Sequence, residues 1–328
     1  MKNKDTTNNK DTTNNKDTAK NKDTILEVKE VEKAYAGKRK AKVLAVDGVS
    51  FSIDNGRCIG LAGESGCGKS TLARMIAGLE TPTNGDILWK GFPVRDITRK
   101  NPMRKEIQMV FQNSMDAVNQ RATASEIIAE PLKNFYHLSG EELDKRIDTL
   151  LSQVGIEKSE KTKYPNQFSG GQLQRICIAR MLASEPDLLI LDEPLSSLDV
   201  SVQAQILNLF ADLKKELNMT YLLISHDLEA VYYLADEIII MYRGKIVEQI
   251  KEIENFKNLR HPYTKRLLMS AFSYKGEEVS EVYRKAVSEN GCLYYTRCPY
   301  ADRVCGEYAP HLKKIGEGHF CACNRSCH

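Results

Sequence analysis

Eight residues constrain this chain more than any others: Gly63-Glu-Ser-Gly-Cys-Gly-Lys-Ser70. They follow a short apolar run, Cys58-Ile-Gly-Leu-Ala62, and lead into Ser70–Leu79, which reads as a helix. A strand, a glycine-rich turn and a helix in that order form a phosphate cradle. The glycines allow torsions that turn successive N–H groups toward an anion, and the helix adds its positive end. Lys69 is then placed to reach the β- and γ-phosphates of a nucleoside triphosphate, and the Ser70 hydroxyl to ligate Mg²⁺. The blander reading is an ordinary glycine-rich turn between strand and helix. Cys67 serves as a small residue in the loop or, if exposed beside the helix start, as a reactive thiol.

The rest of the chain alternates in the same style. Val43–Ile53, Leu188–Leu191, Tyr221–Ile224 and Glu237–Tyr242 read as strands, and Val202–Leu217 and Leu228–Ala235 as helices. Such alternation predicts a largely parallel sheet covered on both faces. A mainly helical block over 123–183, with helices at Glu141–Val154 and Gln172–Ala183, interrupts it as an inserted subdomain placed at about 100–183. Leu188-Leu-Ile-Leu-Asp192-Glu193 is a central strand with two acids at its C-terminal end, where ligands bind in open α/β sheets. Asp192 is placed to hold Mg²⁺ and Glu193 to polarise an attacking water. An acid pair after an apolar strand is also a common helix N-cap arrangement.

A third element, Phe168-Ser-Gly-Gly-Gln-Leu-Gln-Arg175, resembles the signature sequence of ATP-binding cassette (ABC) proteins. The resemblance covers roughly 25–328. It implies a three-layer α/β P-loop NTPase cassette, mostly parallel, with a helical signature subdomain and a small Cys-rich C-terminal extension. The implied ATP contacts are Gly63, Glu64, Ser65, Gly66, Cys67, Gly68, Lys69, Ser70 and Thr71, with Tyr35 as the A-loop aromatic on adenine. Ser169, Gly170, Gly171 and Gln172 would cap the ATP of a partner cassette in a head-to-tail dimer, and Asp199 belongs to the D-loop. Gln112 is similar to the Q-loop glutamine, near Mg²⁺ and the attacking water. His226 is similar to the switch histidine on the γ-phosphate. Catalysis would thus rest on Glu193, His226 and Gln112, with Mg²⁺ held by Ser70, Gln112 and Asp192.

Two features narrow the family. His261-Pro-Tyr-Thr-Lys-Arg-Leu-Leu268 resembles the segment beyond the cassette in oligopeptide, dipeptide and nickel importer ATPases. The stretch Gln112–Arg121 resembles that group's Q-loop continuation, but Met115 and Gln120 stand where the group usually has prolines. The resemblance implies an ATPase that drives solute import. Its partners would be a second, non-identical ATPase, two permease subunits and an extracytoplasmic solute-binding protein. Nickel or a metal chelate is the alternative cargo. An ATPase serving an enzyme complex, of the carbon–phosphorus lyase type, is the alternative of another class, and a DNA-repair or translation ATPase a further one.

Six of nine cysteines crowd into 292–328, and in a reducing cytosol clustered thiols read first as metal ligands. The spacing is Cys292-x5-Cys298-x6-Cys305, then x15 to Cys321 or x17 to Cys323. Four thiolates suit Zn²⁺ or a [4Fe–4S] cluster, and spacing alone separates neither. The family's ending matches best with Cys323 as fourth ligand, and loops longer than the usual short zinc-knuckle spacing favour iron–sulfur; six free thiols in a loose tail are the blander reading. Cys327 and His328 are spare or form a second weak site. The extension, residues 256–328, is expected to be stapled by the metal and to take no part in hydrolysis.

Residues 1–24 repeat Lys-Asp-Thr-Thr-Asn-Asn with almost no apolar content, a composition expected to stay disordered. With 47 Lys+Arg against 44 Asp+Glu, the net charge of +3 excludes a generally polycationic nucleic-acid binder. No run approaches the ~18 apolar residues that span a bilayer. The chain is therefore expected in the cytosol unless a partner holds it at a membrane, and the resemblance implies the cytoplasmic face of the cell membrane, held there by the permease subunits.

Overall fold

The computed structural model describes residues 23–37, 42–98, 101–110, 118–196, 198–271, 285, 288 and 290–325. Gln112, Met115, Ser197, Cys327, His328 and nearly all of the 1–24 repeat lie outside these.

The chain begins with two long paired strands, β1 (Thr24–Ala36) and β2 (Lys42–Asp54). With β4 (Asn84–Trp89) and β5 (Phe92–Pro93) they make an antiparallel sheet of order β2-β1-β4-β5. This is the β-rich edge of the molecule, packed over the phosphate-loop helix α1 (Lys69–Ile76).

The larger sheet is built on β3 (Cys58–Ala62), β6 (Ile107–Val110), β7 (Leu188–Asp192), β8 (Thr220–Ser225), β9 (Glu237–Tyr242) and β10 (Lys245–Ile250). Its strand order is β11-β12-β10-β9-β3-β8-β7-β6, where β11 (Lys313–Gly316) and β12 (His319–Cys321) come from the extension. The five strands from β9 to β6 are mutually parallel; β10, β12 and β11 join antiparallel. Every residue of β3, β7, β8 and β9 is buried. Their near-continuous apolar runs follow from coverage on both faces.

The period of two shows where the two cores lie. Ile59, Leu61, Leu188 and Ile190 pack with α1 and the antiparallel sheet around Leu26 and Trp89. Cys58, Ala62, Leu189 and Leu191 face the opposite way, into a core shared with the helices. Those helices are α2 (Ala124–Tyr136), α3 (Gly140–Gln153), α4 (Gly170–Leu182), α5 (Val200–Leu217) and α6 (Leu228–Leu234). The layers are therefore three, as expected.

The sequence reading differs at two boundaries. Residues 107–110 form a strand parallel to β7, so the start of the helical subdomain moves from about 100 to α2. A four-residue strand between glycine-free flanks offers too short a period to separate from helix by pattern. The extension, read as a separate appendage, instead continues the main sheet: Glu248, Gln249 and Ile250 of β10 pair with Cys321, Phe320 and His319 of β12.

Candidate active site at the ends of the parallel strands

The phosphate loop leaves β3 and closes over its own helix. Gly68, the N-cap of α1, has φ 109°, and a Cβ there would meet the Ala45 carbonyl oxygen at 2.1 Å. Only glycine fits that position. Lys69 is 4% exposed, and its Nζ donates to the carbonyls of Gly63 at 2.8 Å and Glu64 at 3.1 Å. Its ammonium therefore lies under the loop, where an incoming phosphate would meet it. Cys67 is buried, and burial pushes its thiol up, so it stays a neutral packed side chain and not a reactive thiolate.

The acids arrive from β7. Asp192 is buried, and its Oδ1 accepts from the Ser70 hydroxyl at 3.0 Å, across 122 residues of chain. Burial raises its carboxyl, while the Ser70 bond pulls the other way. Those two oxygens are hard donors of the type Mg²⁺ takes. Glu193 departs from the strand at φ 49°, a left-handed conformation that costs about 1–2 kcal/mol in a non-glycine residue. Its N–H, donating to Ile224 O at 2.9 Å, ties that kink to β8. The kink swings the carboxylate toward His226, which follows β8, and Glu193 Oε2 lies 3.4 Å from His226 Nδ1. Residues from three adjacent parallel strands thus meet at one sheet edge.

Tyr35, at the end of β1, donates to Glu80 and lies beside Thr71 of α1 with its ring partly exposed. This puts the aromatic at the rim of the same loop. Ser169 is elsewhere. It N-caps α4 in a reciprocal capping box, accepting from Gln172 N–H at 3.3 Å while Gln172 Oε1 accepts from Ser169 N–H at 3.0 Å. Both Ser169 and Gly170 are exposed. Gly171 is buried against α5, where a Cβ would meet Val202 Cγ1 at 2.3 Å. Asp199 caps α5 from the same corner.

Cys292, Cys298, Cys305 and Cys323 line one small pocket, together with His261 and Tyr294. Cys321 is apart, fully buried in β12. None of the eight described cysteines is in a disulfide, and among the described residues no three His, Cys, Asp or Glu side chains stand in metal-ligating geometry. Burial first, and then the neighbouring thiols, push Cys292 up to about 11.

Sequence reasoning missed two residues that touch the phosphate loop. Tyr263 is fully buried, and its hydroxyl accepts from Glu64 N–H at 2.7 Å. Arg297 of the Cys-rich extension grips the Glu64 carboxylate with both Nη atoms, at 2.9 and 3.0 Å. Tyr263 lies in the His261–Leu268 segment that the sequence singled out, but nothing local in it, or around Arg297, points to the phosphate loop. Glu248 was missed too. It is fully buried in β10 and accepts from the N–H groups of Arg260 at 2.6 Å and His261 at 3.1 Å, with His319 Nε2 at 2.8 Å.

The chain is similar to known proteins over most of its length. Residues 46–196 match the family model described as ABC transporter, and 247–305 match that described as oligopeptide/dipeptide transporter, C-terminal region. The oligopeptide transport ATP-binding protein AppF of Bacillus subtilis is 42% identical over 92% of this chain and 97% of its own. A dipeptide transport ATP-binding protein, DppF of Escherichia coli, is 38% identical over 91% of this chain and 93% of its own. Among solved structures, an ATP-binding cassette captured as a dimer in a post-hydrolysis state with ADP and Pi superposes with a TM-score of 0.63 at 30% identity. The match covers 69% of this chain and 97% of that one.

Proposed function

This chain belongs to the ABC transporter family of ATP-binding subunits, and from that premise we propose that it powers uptake of oligopeptides or dipeptides through separate membrane permeases. What carries the ATPase reading is the convergence of Lys69, Ser70, Asp192, Glu193 and His226 at one sheet edge, with Ser70 and Asp192 3.0 Å apart. The peptide assignment is supported by the C-terminal region over 247–305 and by relatives named for peptide transport.

In this reading the loop N–H groups and Lys69 hold the triphosphate, and Tyr35 stacks on adenine. Ser70 and Asp192, with Gln112, would hold Mg²⁺, which when bound would supply charge neutralisation to the phosphates. Glu193 accepts the proton of the attacking water. His226, beside it, contacts the γ-phosphate. Ser169 and the glycines after it cap the ATP of a partner cassette, a second and non-identical ATPase. That accounts for an exposed helix N-terminus whose own hydrogen bonds only close its capping box. Two permeases and a solute-binding protein complete the importer at the cytoplasmic face of the membrane. Among the described residues no helix is long and apolar enough to cross it.

The cysteine pocket is part of the proposal. Cys292, Cys298, Cys305 and Cys323 form a donor set suited to a [4Fe–4S] cluster or Zn²⁺, and their placement around one pocket favours Cys323 over Cys321 as the fourth ligand. The metal would staple a segment with little core of its own. Iron and zinc content of anaerobically purified protein separates the two, and absence of both removes the metal.

The function is tested in proteoliposomes holding the cognate permeases, the partner ATPase and this chain. Uptake of labelled peptide driven by Mg²⁺–ATP, abolished by Lys69→Ala, is the expected result. ATP hydrolysis coupled to nickel uptake, with none of peptide, would overturn the cargo and keep the ATPase.

A further inference from the structure

Among the described residues, Glu64 is the one phosphate-loop residue that the C-terminal extension holds by its side chain. Its carboxylate takes a two-pronged bond from Arg297, its N–H donates to Tyr263, and its carbonyl accepts from Lys69. Three neighbours thus fix one residue of the loop, and two of them lie beyond the cassette core.

The grip is not an ordinary surface ion pair. Such pairs contribute little when two long side chains must be ordered in water. Here the side chain of Arg297 is 22% exposed and that of Glu64 37%. The fork geometry satisfies both carboxylate oxygens at once. The guanidinium lies over the Tyr294 ring, 5.9 Å from its centroid, which limits its freedom before it meets Glu64. Tyr263 is packed against Tyr242 at 4.6 Å and Tyr294 at 5.5 Å between ring centroids. Arg297 also springs from a fixed turn. Its N–H and that of Cys298 both donate to Tyr294 O, at 3.0 and 2.9 Å, and Cys292 N–H donates to Cys305 O at 2.8 Å.

Electrostatics give the grip a role. A carboxylate inside a loop that receives a polyanion repels it, and a cation bound to that carboxylate cancels the repulsion. Resting on the reading of this loop as the ATP site, we propose that Arg297, seconded by Tyr263, is a positioning residue for nucleotide binding. The C-terminal extension holds Glu64 neutralised and the loop open to the triphosphate. The extension therefore takes part in ATP binding without supplying a phosphate ligand.

The test uses the full chain, a fluorescent ATP analogue with Mg²⁺, and a double-mutant cycle. Arg297→Gln should raise the dissociation constant about tenfold, the loss of one charge-assisted pair. The maximal turnover at saturating ATP should stay within about twofold, because no reacting atom is touched. Arg297→Lys should recover part of the affinity. Adding Glu64→Gln to Arg297→Gln should restore most of it, since the unpaired carboxylate is then gone. A structural role alone predicts losses that add, and additive losses overturn the proposal. So does an Arg297→Gln constant within twofold of wild type. Should the Gln variant lose the fold in thermal unfolding, the Lys variant and the Glu64→Gln pair carry the same cycle. Wild-type chain that fails to bind the analogue, or a Lys69→Ala variant that binds it normally, overturns the ATP-site reading itself.

Discussion

Asp192 and Glu193 at the end of β7, and Glu248 in β10, are carboxylates of one sheet with opposite surroundings. Glu248 has no exposure and three donors: two backbone N–H groups and His319. Its bonding is complete within the protein, and it anchors the segment that leads into the extension. Among the described residues Asp192 accepts from the Ser70 hydroxyl at 3.0 Å, and Glu193 lies 3.4 Å from His226, which is largely exposed. Fully bonded acids hold folds together, while acids left with bonding capacity at a strand end can receive a cation and a water.

The contrast breaks first at Glu193. Glu193→Gln should lower turnover by about 10²–10⁴ while nucleotide binding persists. The variant should accumulate as an ATP-bound dimer on a sizing column. Turnover within tenfold of wild type would place Glu193 with Glu248, as a structural acid.

Next in size is Glu248→Ala. It strips two backbone donors and a histidine of their acceptor in a dry site, at about 3 kcal/mol. Urea denaturation should show that loss, and limited proteolysis should release the extension before the cassette. Catalysis at saturating ATP should change far less than in Glu193→Gln.

A pH series sharpens the same region. His261 is buried against Glu248, and burial pushes its imidazole down to about 4. The unfolded chain takes up that proton near pH 6.5 and the folded chain does not. Stability should therefore be flat above about pH 6.5 and fall below it, by about 2 kcal/mol at pH 5. Denaturation midpoints at pH 7, 6 and 5 measure this, and His261→Gln should flatten the slope.

The smallest effect is expected at the rim of the open site. Tyr35→Ala should weaken ATP binding about fivefold through lost stacking, and Tyr35→Phe much less. Equal losses in both variants would assign the effect to the Glu80 bond instead of the ring.

How much of this was legible in sequence follows the same division. The open acids belong to contiguous patterns. Gly63–Ser70 and Leu188–Glu193 each carry their ligands within a few residues of a strand, and they meet at Ser70–Asp192 because β3 and β7 run parallel, one strand apart, and end on the same side of the sheet. Strand limits fell within about a residue in β3, β7 and β9 because runs buried on both faces have sharp ends. Glu248 reads as any acid in a strand until His261 and His319 fold onto it. Arg297 lies 233 residues from Glu64 and reaches it only through the docked extension. The fold makes those contacts, and local spacing has no access to them.

One earlier feature reaches beyond the site. Because β12 completes β10, the extension shields the backbone donors and acceptors of β10 over Val247–Ile250. The outermost strand, β11, is four residues long and opens with Lys313 and Lys314, a combination that discourages another chain from adding to it. A chain cut at residue 255 would keep every ATP ligand proposed above and yet present the bare edge of β10. Such a fragment should stick to itself, so solubility trials on the isolated cassette would report on that edge and not on the nucleotide site.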